Sequence, residues 1–169
     1  MKYAAMVAMM AATTLAAGLA RGTAMNDVGM TLSVEAKDGR VLVQVELENR
    51  SADAVLVPRT IAASDRLLGR VFDVKGDDGT PVPYVGPLVK RGPLTAADYL
   101  ALPAGQRHRH TIDIAPAYDF RPGTHTYTVA YAGQYITDAA VLASTGAASD
   151  FSTAGQPLAA PPVSFSYTK

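Results

Sequence analysis

RVLVQVELEN, residues 40–49, alternates with a period of two: Val41, Val43, Val45 and Leu47 fall on one face, and Arg40, Gln44, Glu46 and Glu48 on the other. That spacing is the signature of a half-buried β-strand, since successive side chains of an extended chain point to opposite sides. The neighbouring stretches repeat the pattern. MTLSVEA, residues 30–36, alternates through Met30, Leu32 and Val34, and Lys37-Asp38-Gly39 supplies the turn chemistry of a tight hairpin between the two strands. Asn49-Arg50-Ser51 closes the second strand. AVLVP and RVFDV follow, and an Asp77-Asp78-Gly79 turn leads into PVPYVG.

The second half continues in the same style. DYLALPAGQRHRHTIDI reads as a short strand, a Pro-Ala-Gly turn and a longer strand that sends Ile112 and Ile114 inward. GTHTYTVAY alternates His125, Tyr127, Val129 and Tyr131 against threonines and an alanine, and PPVSFSYT alternates Val163, Phe165 and Tyr167 against polar residues. No stretch beyond the N-terminal segment carries a long, capped apolar stripe of helical period, and LTAADYLAL suffices for one helical turn at most. The expected fold is all-β, an immunoglobulin-like antiparallel β-sandwich of about seven to nine short strands. Residues 142–160, rich in Ala, Ser, Thr and Gly, are expected to form a flexible loop before the last strand.

A chain of 169 residues suits one domain with a core of its own. Fifteen basic residues balance fifteen acidic ones, so no net field draws the protein to nucleic acid or to anionic lipid. The N-terminus obeys another rule. Lys2 precedes an apolar, Ala- and Met-rich run from Ala4 to Ala17, and small residues stand at Gly22-Thr23-Ala24. This is the layout of an export signal, residues 1–24, with an alternative cleavage after Ala20, and it leaves residues 25–169 as a single β-sandwich domain without a membrane span. The expected destination is the periplasm or the extracellular space. Without a single cysteine, the chain has no disulfide scaffold, no thiol nucleophile and no zinc-thiolate site.

Catalytic patterns are few. His108 and His110 share one face of a strand and, with His125, are the candidate metal ligands; the alternation puts the first two at the rim of a strand whose inward residues are isoleucines. No metal site and no cofactor are expected. Asp77, Asp78 and Asp98 fall where turns place aspartate for backbone reasons. Tyr127, after Arg121-Pro122-Gly123, is placed to be a corner tyrosine whose hydroxyl satisfies a loop backbone. Tyr84, Tyr99, Tyr118 and Tyr131 are either core aromatics or surface aromatics of the kind that interfaces favour. YVGPLVKRG, residues 84–92, interrupts the strand rhythm with two glycines, a proline, an apolar Leu88-Val89 pair and a dibasic Lys90-Arg91.

The order of these motifs is itself informative. VELEN, then VFDV with its DG turn, V-x-Y-x-G and KRG, then DYLAL, AG, IDIA, AYDF and PGTHTYTVAY resembles the non-catalytic N-terminal pro-region of secreted deuterolysin-type (aspzincin, peptidyl-Lys) metallopeptidases. The resemblance runs from about Leu32 to Tyr131, through Asn49, Phe72, Gly79, Tyr84, Gly86, Lys90, Arg91, Asp98, Tyr99, Tyr118 and Tyr127. In that family the zinc lies in a following domain, bound by His-Glu-x-x-His and a downstream Asp, and this sequence has neither element. The resemblance therefore implies no enzyme but a stand-alone inhibitor or chaperone that binds a secreted zinc metallopeptidase, with Tyr84, Lys90, Arg91 and Tyr99 as partner-binding residues. The alternative is a structural or interaction module of the cell envelope or surface with no protease partner.

Overall fold

The computed structural model describes residues 27–90, 92, 94–137 and 155–169. Residues 1–24, expected to be an export signal, together with Arg91 and most of the 142–160 stretch, lie outside the described residues. In chain order the elements are β1 (Val28–Lys37), β2 (Arg40–Asn49), β3 (Val55–Pro58), a single helical turn α1 (Arg59–Ala62), β4 (Asp73–Gly76), β5 (Tyr99–Leu102), β6 (Arg107–Asp113), β7 (Thr124–Ile136) and β8 (Gly155–Thr168). One sheet has three strands in the order β1-β2-β6; the other has five, with β7 at its centre. Every pairing is antiparallel, so the chain is an all-β protein of two antiparallel sheets.

The opening stretch forms β2, the central strand of the first sheet. Val41, Val43, Val45 and Leu47 are fully buried, and Ile112 and Ile114 join them from β6 and its end. On the other face the register sets Glu46 opposite Arg109 and Glu48 opposite Arg107. Both pairs close as ion pairs, at 2.9 and 2.7 Å. Exposed pairs of this kind are screened by solvent and contribute little, so the buried valines and isoleucines hold the sheet.

In the second sheet β8 lies along one edge of β7 from Thr124 to Ile136. β4 and β3 therefore share the other edge, β4 opposite residues 127–130 and β3 meeting β7 only where Leu56 faces Ile136. Between them the chain leaves the sheet as α1 and returns at Asp73. β8 corrects the expected 142–160 loop, because residues 155–160 are already strand. The reason is positional: Gly155 to Ala160 pair with the far half of β7, and Pro161 and Pro162 fall at the register shift between Val129 and Tyr131. Proline is tolerated at such an irregularity because no ladder hydrogen bond is demanded of it.

The core ends in an aromatic cluster. Phe120 lies edge-on to Tyr127 and Tyr167, with ring centres 4.9 and 5.0 Å apart. Tyr127 is fully buried, and its hydroxyl accepts a hydrogen bond from the Arg121 backbone N–H at 3.1 Å, the corner role read from the sequence.

Candidate functional site

Residues 84–90 run as a loop outside the named strands, and the sequence around them explains how it is held. The Asp77–Thr80 turn is closed by Gly79 at φ 76° and by the Thr80 N–H donating to Asp78 Oδ1 at 2.8 Å. That bond, followed by others from Thr80 and Arg121, holds the Asp78 carboxyl below its ordinary range. The chain then runs back beside β4, and the Val82 N–H donates to Val74 O. At Tyr84 it bridges to Tyr118, and the two rings meet edge to face with centres 5.5 Å apart. The Val85 and Gly86 N–H groups both donate to Ala117 O, at 2.9 and 3.2 Å. The Tyr84 hydroxyl lies 3.0 Å from Pro87 O and 3.3 Å from Leu67 O, and donates to one of them at a time. Gly86 is required by close approach, since a Cβ there would stand 2.7 Å from the Tyr84 hydroxyl and 3.1 Å from Ala117 Cβ.

Beyond these anchors the loop turns its apolar side chains outward. Val85, Leu88 and Val89 are 61, 79 and 51 % exposed, and they are the exposed large hydrophobic residues among the described part of the chain. Lys90 beside them is exposed as well. The sequence reading assigned contact roles to Tyr84 and Lys90. The structure commits the Tyr84 hydroxyl to bracing the loop from within and brings the three aliphatic side chains to the surface in its place. The Leu88-Val89 pair was visible in the sequence, but its exposure follows only from the absence of any strand beside it.

Tyr99 belongs to a different feature, a cleft of about 450 Å³ lined by Pro58, Thr60, Leu94, Tyr99, Tyr131 and Gly133 together with Asp98 and Gln134. Burial, then the Asp98 charge, raises the Tyr99 hydroxyl above its ordinary pKa. Burial, then Tyr99, pushes Tyr131 up to about 12. Asp98 itself accepts from the Thr95 N–H and hydroxyl, a capping arrangement at the 3-10 turn of Ala96–Asp98.

The histidines are engaged elsewhere. His108 and His110 do point to the inner rim of β6, and there each ring reaches across to the segment of α1: His108 Nε2 lies 2.6 Å from Ala62 O and His110 Nε2 2.9 Å from Ser64 O. A carbonyl acceptor requires the ring nitrogen to carry its proton, and a protonated nitrogen offers no lone pair to a metal. His125 Nε2 meets Pro122 O at 2.9 Å in the same way. Among the described residues no group of three His, Cys, Asp or Glu side chains is arranged to hold a metal ion. The described residues also contain no helix long and apolar enough to cross a membrane.

No family model matches the chain, and no curated protein matches it in sequence. A solved structure, the X-ray structure of Northeast Structural Genomics Consortium target SoR45, is similar over 85 % of this chain and 88 % of its own, at 10 % identity and a TM-score of 0.43.

Proposed function

We propose that this chain is an exported, non-enzymatic β-sandwich that binds another protein through residues 84–92, as a stand-alone, pro-region-like inhibitor or chaperone of a secreted zinc metallopeptidase. The observation that carries the binding role is the concentration of Val85, Leu88 and Val89 on one braced loop, while the other large apolar side chains of the described residues are buried or half-buried. Contiguous exposed apolar side chains mark interaction surfaces, and each contributes about 1.5–3 kcal/mol when a partner buries it fully. The Tyr84 and Ala117 anchors fix the loop before it binds, which reduces the entropy lost on association. The choice of a metallopeptidase as partner rests on the sequence resemblance, which also gives Lys90 and Arg91 as contacts.

The test is inhibition of a peptidyl-Lys metallopeptidase by the chain and by two variants, Leu88→Ser with Val89→Ser and Lys90→Ala with Arg91→Ala. The apolar double variant is expected to weaken inhibition at least about tenfold, as loss of two buried aliphatic contacts implies. Its melting temperature should stay that of the parent, because exposed substitutions shift stability by less than about 0.5 kcal/mol. Equal inhibition constants for parent and variants would remove the loop from the mechanism. A stable complex with an envelope protein, and none with any peptidase, would replace this reading with the envelope-module one.

A further inference from the structure

The parts of the chain on either side of Lys90 are woven together. Before it stand β1, β2, β3 and β4, and after it β5, β6, β7 and β8. β2 pairs with β6, β3 with β5 and β7, and β4 with β7, so each sheet is built from strands of both parts. Their buried side chains also meet in one core, where Val43 and Val45 of β2 lie with Ile112 of β6 and Val129 of β7. A break in the backbone after Lys90 therefore removes a covalent link and no strand pairing.

A cut needs an accessible bond as well as a tolerant fold. An endopeptidase draws a run of its substrate into its cleft in extended form, and residues whose backbone is already paired in a sheet cannot supply one. Among the described residues three lysines are followed by a peptide bond, Lys37, Lys75 and Lys90. Lys37 is paired with Arg40 at the end of β1. Lys75 lies within β4, opposite Thr128 on one side and bridged to Pro81 on the other. Lys90 lies outside every named strand and is exposed, as are Leu88 and Val89 before it and Gly92 beyond it.

We propose that Lys90 is a processing site, where an endopeptidase that reads lysine on the amino side of the scissile bond splits the chain into two parts that stay folded together. The reaction is hydrolysis: one water adds across the bond between Lys90 and Arg91, leaving a carboxylate on Lys90 and a free amino group on Arg91. Val85, Leu88 and Val89 all fall on the first part. They keep their ties, since the Val85 and Gly86 N–H groups donate to Ala117 O and the Val89 N–H to Leu68 O. The cut thus gives the exposed apolar patch a free end without detaching it, and the site stands whether or not this loop binds a peptidase.

The probe is a lysine-specific endopeptidase added to the folded chain in native buffer, with product masses and size-exclusion elution as readouts. The first cut is expected after Lys90, giving two fragments that elute together at the parent's volume and part only in denaturant. Lys90→Gln is expected to lose that cut and to melt with the parent, because the side chain it replaces is exposed. Chain purified from its native cells is expected to include the fragment that ends at Lys90. A first cut after Lys37 or Lys75, fragments that separate in native buffer, or only uncut chain in the native cells would each overturn the proposal.

Discussion

Asn49 shows how much one polar side chain does in this core. It is the fully buried polar residue among the described part of the chain, and each of its side-chain groups is used. Its Nδ2 donates to Asp53 O at 2.8 Å and to Leu102 O at 2.9 Å, while its Oδ1 accepts from the Ser51 N–H and hydroxyl. The end of β2 is thereby tied both to its own turn and to β5 in the opposite sheet. Asn49→Ala takes the amide donor from Leu102 O and the acceptor from the Ser51 N–H, while Asp53 O keeps the Ser51 hydroxyl, and stability measured by urea denaturation is expected to fall by about 1–3 kcal/mol. Loss of less than about 0.5 kcal/mol would mean that water replaces the amide. The sequence showed Asn49 as a turn residue, which is half its role. The link to Leu102 spans 53 positions, and no local pattern contains it. Tyr127 was legible in full because its partner, Arg121, is only six positions away.

At the scale of elements, the β1–β2 hairpin was the most legible feature, and the backbone explains why. Lys37 faces Arg40 across a two-residue loop, with Asp38 at φ 52° and Gly39 at φ 75°. Positive φ at both positions is the geometry whose twist matches the paired strands, and Asp-Gly is the pair that adopts it at least cost. Nothing lies within 4 Å of the site a Gly39 Cβ would occupy, so the penalty of substitution is conformational and not a clash. Gly39→Ala is therefore expected to lower stability by about 1 kcal/mol and Asp38→Gly by a few tenths, both read from denaturation midpoints at unchanged slope. An equal effect at the two positions would contradict the assigned turn. Other elements were hidden for physical reasons. α1 is four residues with no side-chain cap, held in place by the rings of His108 and His110 and not by its own sequence. The first half of β8, GQPLAAP, has Leu158 as its one large apolar residue and no alternation to announce it, and β7 beside it makes it a strand.

For the whole molecule, alternation told which side chains face inward but not which strands lie side by side, so neither the β1-β2-β6 order nor the sharing of one β7 edge by β4 and β3 was available from sequence. The same assembly of sheets fixes how stability responds to pH. Its carboxylates are poor levers: Glu48, held below its ordinary pKa by hydrogen bonds to Arg107 and Arg50, is exposed and screened by salt. The buried tyrosines act more strongly, since burial pushes both Tyr118 and Tyr131 from 10.0 up to about 12. An unfolded chain releases these protons near pH 10 and the folded chain only near 12, so rising pH draws the protein toward the unfolded state. The stability they support is whole below about pH 10 and declines from there through about pH 12, by at most about 2–3 kcal/mol for Tyr131 and by less for Tyr118, which solvent screens more. Tyr131→Phe is expected to match the parent at pH 7 and to decline less steeply between pH 9 and 11.5. Tyr118→Phe starts lower, because its hydroxyl donates to Phe72 O at 2.6 Å, but its alkaline decline is also shallower. Urea denaturation at a series of pH values separates the two effects. An alkaline decline as steep in Tyr131→Phe as in the parent would mean that this phenol ionises as it does in water, and the burial assigned to its hydroxyl would fall with it.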